Sequence, residues 1–314
     1  MPQVSREDMS PDYKKTFSRH SFQSIFLLLV LGLIWGSGYS IAHYATTHHV
    51  ASLGYSFWQS LGPSIFLLCL GLFFPHHRLS FSWGSLQYYA VLGLFGIAFP
   101  NSLMYLASPH LPAGLLAVVV NTVPIFTFIL AISLGIEGFQ WFRALGVILT
   151  FIGLIILSWP GNHVFTLSQT HWIWLSLLVP LSFAAMAIFA VKYRPKNTSD
   201  LTIACGMLVF STIFVAPVTF YHHDFYALHF PLAPQDWAII LEIVLSSISY
   251  IILFKILQIA GAIFYSLVGG MVSLTGLLWA WLFLHESLTV ESGAAAVLMI
   301  IGIVIVAYQK RNLK

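Results

Sequence analysis

Residues 22–45 read FQSIFLLLVLGLIWGSGYSIAHYA, twenty-four positions without one Asp, Glu, Lys or Arg. A helix needs about 20 mostly apolar residues to cross the hydrocarbon of a bilayer, so this stretch is long enough to span one. Working outward, further apolar stretches cover 50–74, 86–106, 112–134, 141–159, 172–193, 200–221, 237–257, 262–284 and 293–308, ten in all. They are apolar all round and do not alternate, which rejects the strands of a membrane barrel. The whole chain agrees: of 314 residues, 7% are charged and 59% apolar, where a soluble domain carries about 25% charged residues. A soluble globule and a disordered chain are both excluded. A net charge of +3, with 13 Lys and Arg in short scattered groups, argues against a nucleic-acid partner. Cys69 and Cys205 lie inside apolar stretches and read as small packing residues. The reading is an all-α integral membrane protein with membrane lipid as its solvent.

The basic residues orient these spans. With the N-terminus inside, Arg6, Lys14, Lys15 and Arg19 precede the first span, Arg78 lies between spans 2 and 3, and Arg143 starts span 5. Lys192, Arg194 and Lys196 follow span 6, Lys255 ends span 8, and Lys310, Arg311 and Lys314 close the chain. All 13 then fall on the cytoplasmic side, as the positive-inside bias requires. Residues 1–21 and 309–314 read as cytoplasmic tails, and 160–171 as an outer linker. The expected location is a bacterial-type inner (plasma) membrane. Trp83, Trp141, Trp159, Trp172, Trp174 and Trp237 fall at span ends, where amphipathic rings meet the interface. A cleaved signal peptide is the lesser reading of the first span, because its loss would break the repeat that follows.

Shifting the chain by 149 residues aligns its halves without a gap. Leu28-Leu29-Val30 falls on Leu177-Leu178-Val179, Tyr44 on Tyr193, and Leu92 on Leu241. Ala113 meets Ala262, Glu137 meets Glu286, Leu149 meets Leu298, and Phe151-Ile152-Gly153 meets Ile300-Ile301-Gly302. The two repeats are 22–159 and 172–308, five spans each. An odd number of spans makes the second repeat enter the membrane from the opposite side. Two inverted repeats are a common build for secondary transporters, since equivalent halves allow two arrangements that open a central site to either side. A channel is the alternative that also uses such repeats.

The first repeat carries Trp35-Gly36-Ser37, Tyr55-Ser56-Phe57-Trp58, Leu111-Pro112-Ala113-Gly114-Leu115 and Val123-Pro124-Ile125-Phe126, with Glu137 after them. The second carries Gly261-Ala262-Ile263-Phe264-Tyr265-Ser266 and Leu284-His285-Glu286. In order and spacing these resemble the EamA-type family of the drug/metabolite transporters, over about 22–308. The resemblance implies ten helices in two five-helix repeats. It also implies a small-molecule substrate, an amino acid, related metabolite or drug-like compound, often exported. Two positions depart from the family pattern: Gln59 stands where a basic residue is common, and Ser273 where the second repeat usually has proline.

Polar groups inside hydrocarbon are expensive, so each is a candidate functional group. Glu242 is the only acidic residue in the interior of a predicted span, Asp200 standing at the first position of another. It is a candidate for proton coupling or for meeting a cationic substrate group, with the outer interface as the plainer destination. Ser246, Ser249 and Tyr250 share its helical face; the competing reading is that the serines bond back to their own helix. Asn101 follows Pro100 and Asn121 precedes Pro124, so both amides lie near carbonyls that a proline frees. Tyr105, one turn beyond Asn101, joins them as a candidate cavity residue. Trp35 and Tyr39, four apart, suit an aromatic wall, and Trp58 and Gln59 are candidates on span 2. Gly32 and Gly36, like Gly153 and Gly302, suit close helix packing. Glu137 and Glu286 are expected to be structural, capping the helices that follow. His222, His223, Asp224 and His229 read as a solvated loop, not a metal site, and His43 as an interfacial residue. No GxxxxGK[ST], GxSxG or HExxH motif occurs, so no nucleotide, cofactor or catalytic centre is expected, and an enzyme or receptor is the remote alternative.

Overall fold

The computed structural model describes residues 11–73, 81–107, 122–136, 138–158, 167–284 and 290–308, and among them every regular element is helical. In lipid the backbone must satisfy its own N–H and C=O groups, and an isolated apolar segment does so only as a helix. The first repeat contributes α1 (Pro11–Thr47), α2 (Ser52–Phe73), α3 (Trp83–Gly93), α4 (Phe99–Ala107), α5 (Val123–Ser133) and α6 (Trp141–Ser158). The second contributes α7 (Leu167–Ser176), α8 (Leu178–Lys192), α9 (Asp200–Tyr221), α10 (Pro234–Tyr265), α11 (Val268–Leu284) and α12 (Val290–Tyr308). Ser82 and Ser199 cap α3 and α9, their hydroxyls accepting from the N–H of Ser85 at 3.3 Å and Thr202 at 3.1 Å.

Four described segments are long and apolar enough to cross a bilayer unaided: Ser52–Phe73, Trp174–Lys192, Asp200–Tyr221 and Pro234–Tyr265. Shorter apolar helical segments cover Phe22–Gly38, Val123–Ser133, Trp141–Gly153 and Val297–Val306. Their outward faces carry exposed Leu72, Phe73, Ile129, Ile148, Ile213, Leu241 and Ile300. So much exposed apolar surface belongs against lipid, not water. Trp83 and Trp141 open α3 and α6 with exposed rings, and Trp237 is exposed near the start of α10.

The 149-residue shift holds in the packing. Applied to α2 it gives 201–222, against the observed Asp200–Tyr221; applied to α6 it gives 290–307, against Val290–Tyr308. The helix pairs obey the same exchange. α2 packs on its own counterpart α9, and α6 on its counterpart α12. The contact of α1 with α11 is matched by α8 with α5, and α1 with α10 by α8 with α3 and α4. The pair α3 and α9 is matched by α10 and α2. Among the described residues the largest helix–helix contacts thus exchange between the halves, as two equivalent repeats require.

Small residues set the closest approaches. A Cβ on Gly146 of α6 would lie 2.8 Å from the carbonyl oxygen of Gly302 on α12, so neither backbone tolerates a side chain there. Gly32 lets α11 close on α1, where Thr275 Oγ1 donates to its carbonyl at 2.6 Å and Trp279 Nε1 to that of Leu33 at 3.0 Å. Ser60 and Ser211 hydrogen-bond at 3.0 Å across α2 and α9. The packing roles read for Gly32 and Gly302 thus have named partners; Gly153 is buried.

Helix α1 starts at Pro11, so 11–21 are helical and continuous with the first span. Predicted span 6 is present as one apolar segment, Trp174–Lys192, with a one-residue turn at Leu177, three residues before Pro180, between α7 and α8. Two expectations need correction. Predicted span 3 is interrupted by a π-turn at Leu94–Ala98, just before Pro100, whose missing N–H leaves a ladder carbonyl without its donor. Predicted span 9 is not continuous. Gly261, at φ 81° and ψ 175°, breaks the helical path inside α10, and Ser266–Leu267 separate its last turn from α11. Only glycine adopts that φ and ψ readily, which accounts for the residue at the junction.

Candidate functional site

A cavity of about 220 Å³ lies between the halves. Its walls come from α1, α2, α4, α8, α9, α10 and α11, together with Gly96 of the π-turn and Val123 at the start of α5. Three pairs of lining residues are 149 apart: Asn101 and Tyr250, Met104 and Leu253, Val123 and Val272. Both repeats thus line the cavity, in part with equivalent positions. Its chemistry is not symmetric. Glu242 corresponds to Gly93, so the carboxylate is present on one side only.

Glu242 is 4% exposed, its side chain packed inside the protein on the inner face of α10. Its Oε1 accepts from Ser246 Oγ at 2.7 Å and from Gln59 Nε2 at 3.2 Å. Its Oε2 has no hydrogen-bond partner and lies where a Cβ on Gly38 would approach to 3.4 Å. Beside it, Trp35 Nε1 donates to Ser249 Oγ at 2.9 Å, and Ser249 in turn donates to the carbonyl of Ser246 at 2.8 Å. The Trp35 and Tyr250 rings meet edge to face, centroids 6.3 Å apart. Two hydrogen-bonded links thus meet at Ser246, whose carbonyl accepts from the Ser249 that holds Trp35 and whose hydroxyl donates to Glu242.

Of the residues singled out from the sequence, Trp35, Gln59, Asn101, Glu242 and Tyr250 line this cavity. Ser246 and Ser249 stand behind its wall, one donating to the carboxylate and the other back-bonded while holding Trp35. Trp58 is elsewhere. Its Nε1 donates to the carbonyl of Tyr226 at 2.7 Å, and its ring packs near Phe57 and Phe225, because on a helix it points away from Gln59. Asn121, Glu137 and Glu286 lie outside the described residues, as do the side chains of Tyr39, His43 and Tyr105. Sequence reasoning passed over Gly38, Tyr55, Met104, Met186, Tyr265 and Ser266. Only Met104 left a usable trace, as the repeat counterpart of Leu253.

Trp58 belongs to a cover formed by 222–233. Tyr226 packs over Gly54, where a Cβ would meet its Cβ at 3.1 Å, and with Leu228 joins Tyr55, Ile239 and Val50 in one apolar cluster. Asp236, fully buried at the start of α10, ties this cover down. It accepts from the Tyr226 hydroxyl at 2.8 Å, the Ala233 N–H at 2.8 Å and the His229 N–H at 3.3 Å. Burial, and then the bond to Asp236, push the Tyr226 hydroxyl up to about 12, so it stays a donor at physiological pH. His229 Nδ1 lies 3.3 Å from Asp236 as well. Among the described residues no group of three or more His, Cys, Asp or Glu is placed to hold a metal.

An all-helical membrane protein of two exchangeable halves around a shared polar cavity has the architecture of a solute transporter. The chain belongs to the EamA-like transporter family, whose model matches residues 22–159 and again 170–308. It is similar to an uncharacterized transporter of Archaeoglobus fulgidus, 24% identical over 134 residues, which are 40% of this chain and 45% of that protein. The chain thus spans less than half the length of that relative in the match. A protein of solved crystal structure shares the fold, with a TM-score of 0.71 at 12% identity over 90% of this chain and 96% of the other.

Proposed function

We propose that the protein is a secondary carrier that moves a small organic metabolite (an amino acid or related compound, or a small drug-like molecule) across the inner membrane by alternating access, in the direction of export. In this reading the ten apolar stretches are ten spans, the repeats are inverted, and both termini face the cytoplasm. The observation that carries it is the placement of Glu242: one buried carboxylate, with one oxygen free, in a cavity built from equivalent positions of both halves. A site shared by two near-equivalent halves opens to either side when the halves rock. Charge inside the hydrocarbon is retained where it meets a solute or a proton. Glu242 serves both, taking up a proton from one side when solute leaves and releasing it to the other.

Counterflow in proteoliposomes tests the carrier. Saturable uptake of labelled solute driven by unlabelled solute inside is expected; ohmic, unsaturable flux would replace the carrier by a channel. Proton coupling is tested separately. Glu242→Gln retains the size of the side chain and removes its titration, so counterflow measured at saturating solute should persist, with a raised half-saturation concentration, while the response to an imposed pH gradient disappears. An unchanged response to the gradient sinks the coupling role.

A further inference from the structure

We propose that the cavity binds organic amines that carry no carboxylate, with the ammonium against Glu242 Oε2 and the body of the solute against Trp35 and Tyr250. This narrows the solute class of the carrier reading above and rests on it for the location of the site. Four observations carry it. Glu242 is almost wholly buried at the cavity wall, and Oε1 is already held by Ser246 and Gln59, which leaves the buried Oε2 as the acceptor without a partner. A buried carboxylate with one oxygen unsatisfied gains most from a charged donor. The rings of Trp35 and Tyr250 line the same wall, and aromatic faces within about 6 Å attract a cation. Trp35 is held in place by its bond to Ser249, so its ring needs no reordering to receive a ligand.

The fourth observation decides between an amine and an amino acid. Among the described lining residues there is no Lys, Arg or His. An α-amino acid would bring its own carboxylate within a few bond lengths of Glu242, with no cation to receive it and a like charge beside it. A free acid fares worse still. Asn101, across the cavity, supplies an amide suited to a hydroxyl or amide on the solute but not to a full negative charge. At about 220 Å³ the space is below the roughly 300–1,000 Å³ of drug-sized sites, so the solute is small. Gly38 completes the fit, since its missing Cβ leaves room beside Oε2.

The test is equilibrium binding to the purified full chain, which reads the site whether or not the protein proves to be a carrier. Phenethylamine, phenylalanine and 3-phenylpropionate share one skeleton and present an amine, a zwitterion and an acid; n-butylamine gives the amine without the ring. Both amines are expected to raise Tm in a saturable manner, phenethylamine at the lower concentration, and the zwitterion and the acid are expected to raise it little. Glu242→Gln should weaken phenethylamine by at least about ten-fold, and Gly38→Val, which leaves the carboxylate in place, by a similar factor. Equal or tighter binding of phenylalanine or the acid, no shift with either amine, or amine binding unchanged in Gly38→Val would each overturn the proposal. Should Glu242→Gln fail to fold, the Gly38 variant and the matched ligands still decide it. Failure of counterflow with intact amine binding would overturn the carrier reading alone.

Discussion

A carboxylate costs several kcal/mol to bury, and at Glu242 the surroundings offset only part of that: two donors reach Oε1 and none reaches Oε2. That half-satisfied state is a stronger reason to propose a role for the residue than its rarity in the sequence. The serines beside it illustrate why single residues are hard to interpret from sequence. Ser249 back-bonds to its own helix, as the plain reading holds, and the same oxygen also accepts from Trp35. Trp35→Phe keeps the ring and deletes that one bond. It should weaken solute binding by about 3- to 10-fold, the equivalent of about 1 kcal/mol, with no loss of expression; a titration of Tm against phenethylamine checks this. Trp58→Phe removes the bond to Tyr226 instead, and should leave equilibrium binding unchanged while loosening the 222–233 segment, read as faster proteolysis or hydrogen exchange there. The two tryptophans look alike in the sequence. Only their neighbours separate them.

At the scale of elements, the apolar stretches were legible because hydrocarbon demands unbroken helix of a set length. The interruptions were less so. Pro100 and Pro180 announce weak points in span 3 and span 6, but not that one becomes a π-turn and the other a one-residue turn at Leu177. Gly261 belongs to a quoted motif, yet its positive φ is seen only in the fold. The direction of each helix face was least accessible. These helices are apolar on every side, so the polar–apolar contrast that reveals a buried face in soluble proteins is absent, and Gly38, Met104 and Tyr265 passed unnoticed. Close helix contacts make a sharper prediction. Gly302→Leu places a side chain where α6 and α12 have none to spare, and overpacking of this kind costs about 1–3 kcal/mol. Thermal unfolding in detergent should show Tm lowered by several degrees, whereas Gly84→Leu, with open space around it, should leave Tm near the parent value.

The whole molecule holds its cavity between two halves, and 222–233 packs over Gly54 of α2. If the halves rock during transport, that cover must separate from α2. Gly54→Ala would place a Cβ against the carbonyl oxygen of Asp224 and so push that segment off α2. Faster proteolysis within 222–233 is expected in this variant; a rate equal to the parent's would show that the contact does not hold the segment. The proposed orientation has its own test. A cysteine in place of His223 should react with an impermeant maleimide added to intact cells, and one in place of Lys196 only after permeabilisation.

What the sequence determined by itself follows from quantities that sum along the chain. Apolar length sets the helices, the distribution of 13 Lys and Arg sets the expected orientation, and the 149-residue shift sets the two halves. Tertiary structure alone decided which side chains meet. It turned Glu242 inward, paired Asn101 with Tyr250 and Val123 with Val272 around one space, and sent Trp58 to the cover. The physical reason is that solvent patterns a soluble helix, whereas lipid is as apolar as the residues facing it. Inside a membrane, the inner face of a helix is chosen by close packing and by a handful of hydrogen bonds between segments far apart in the chain.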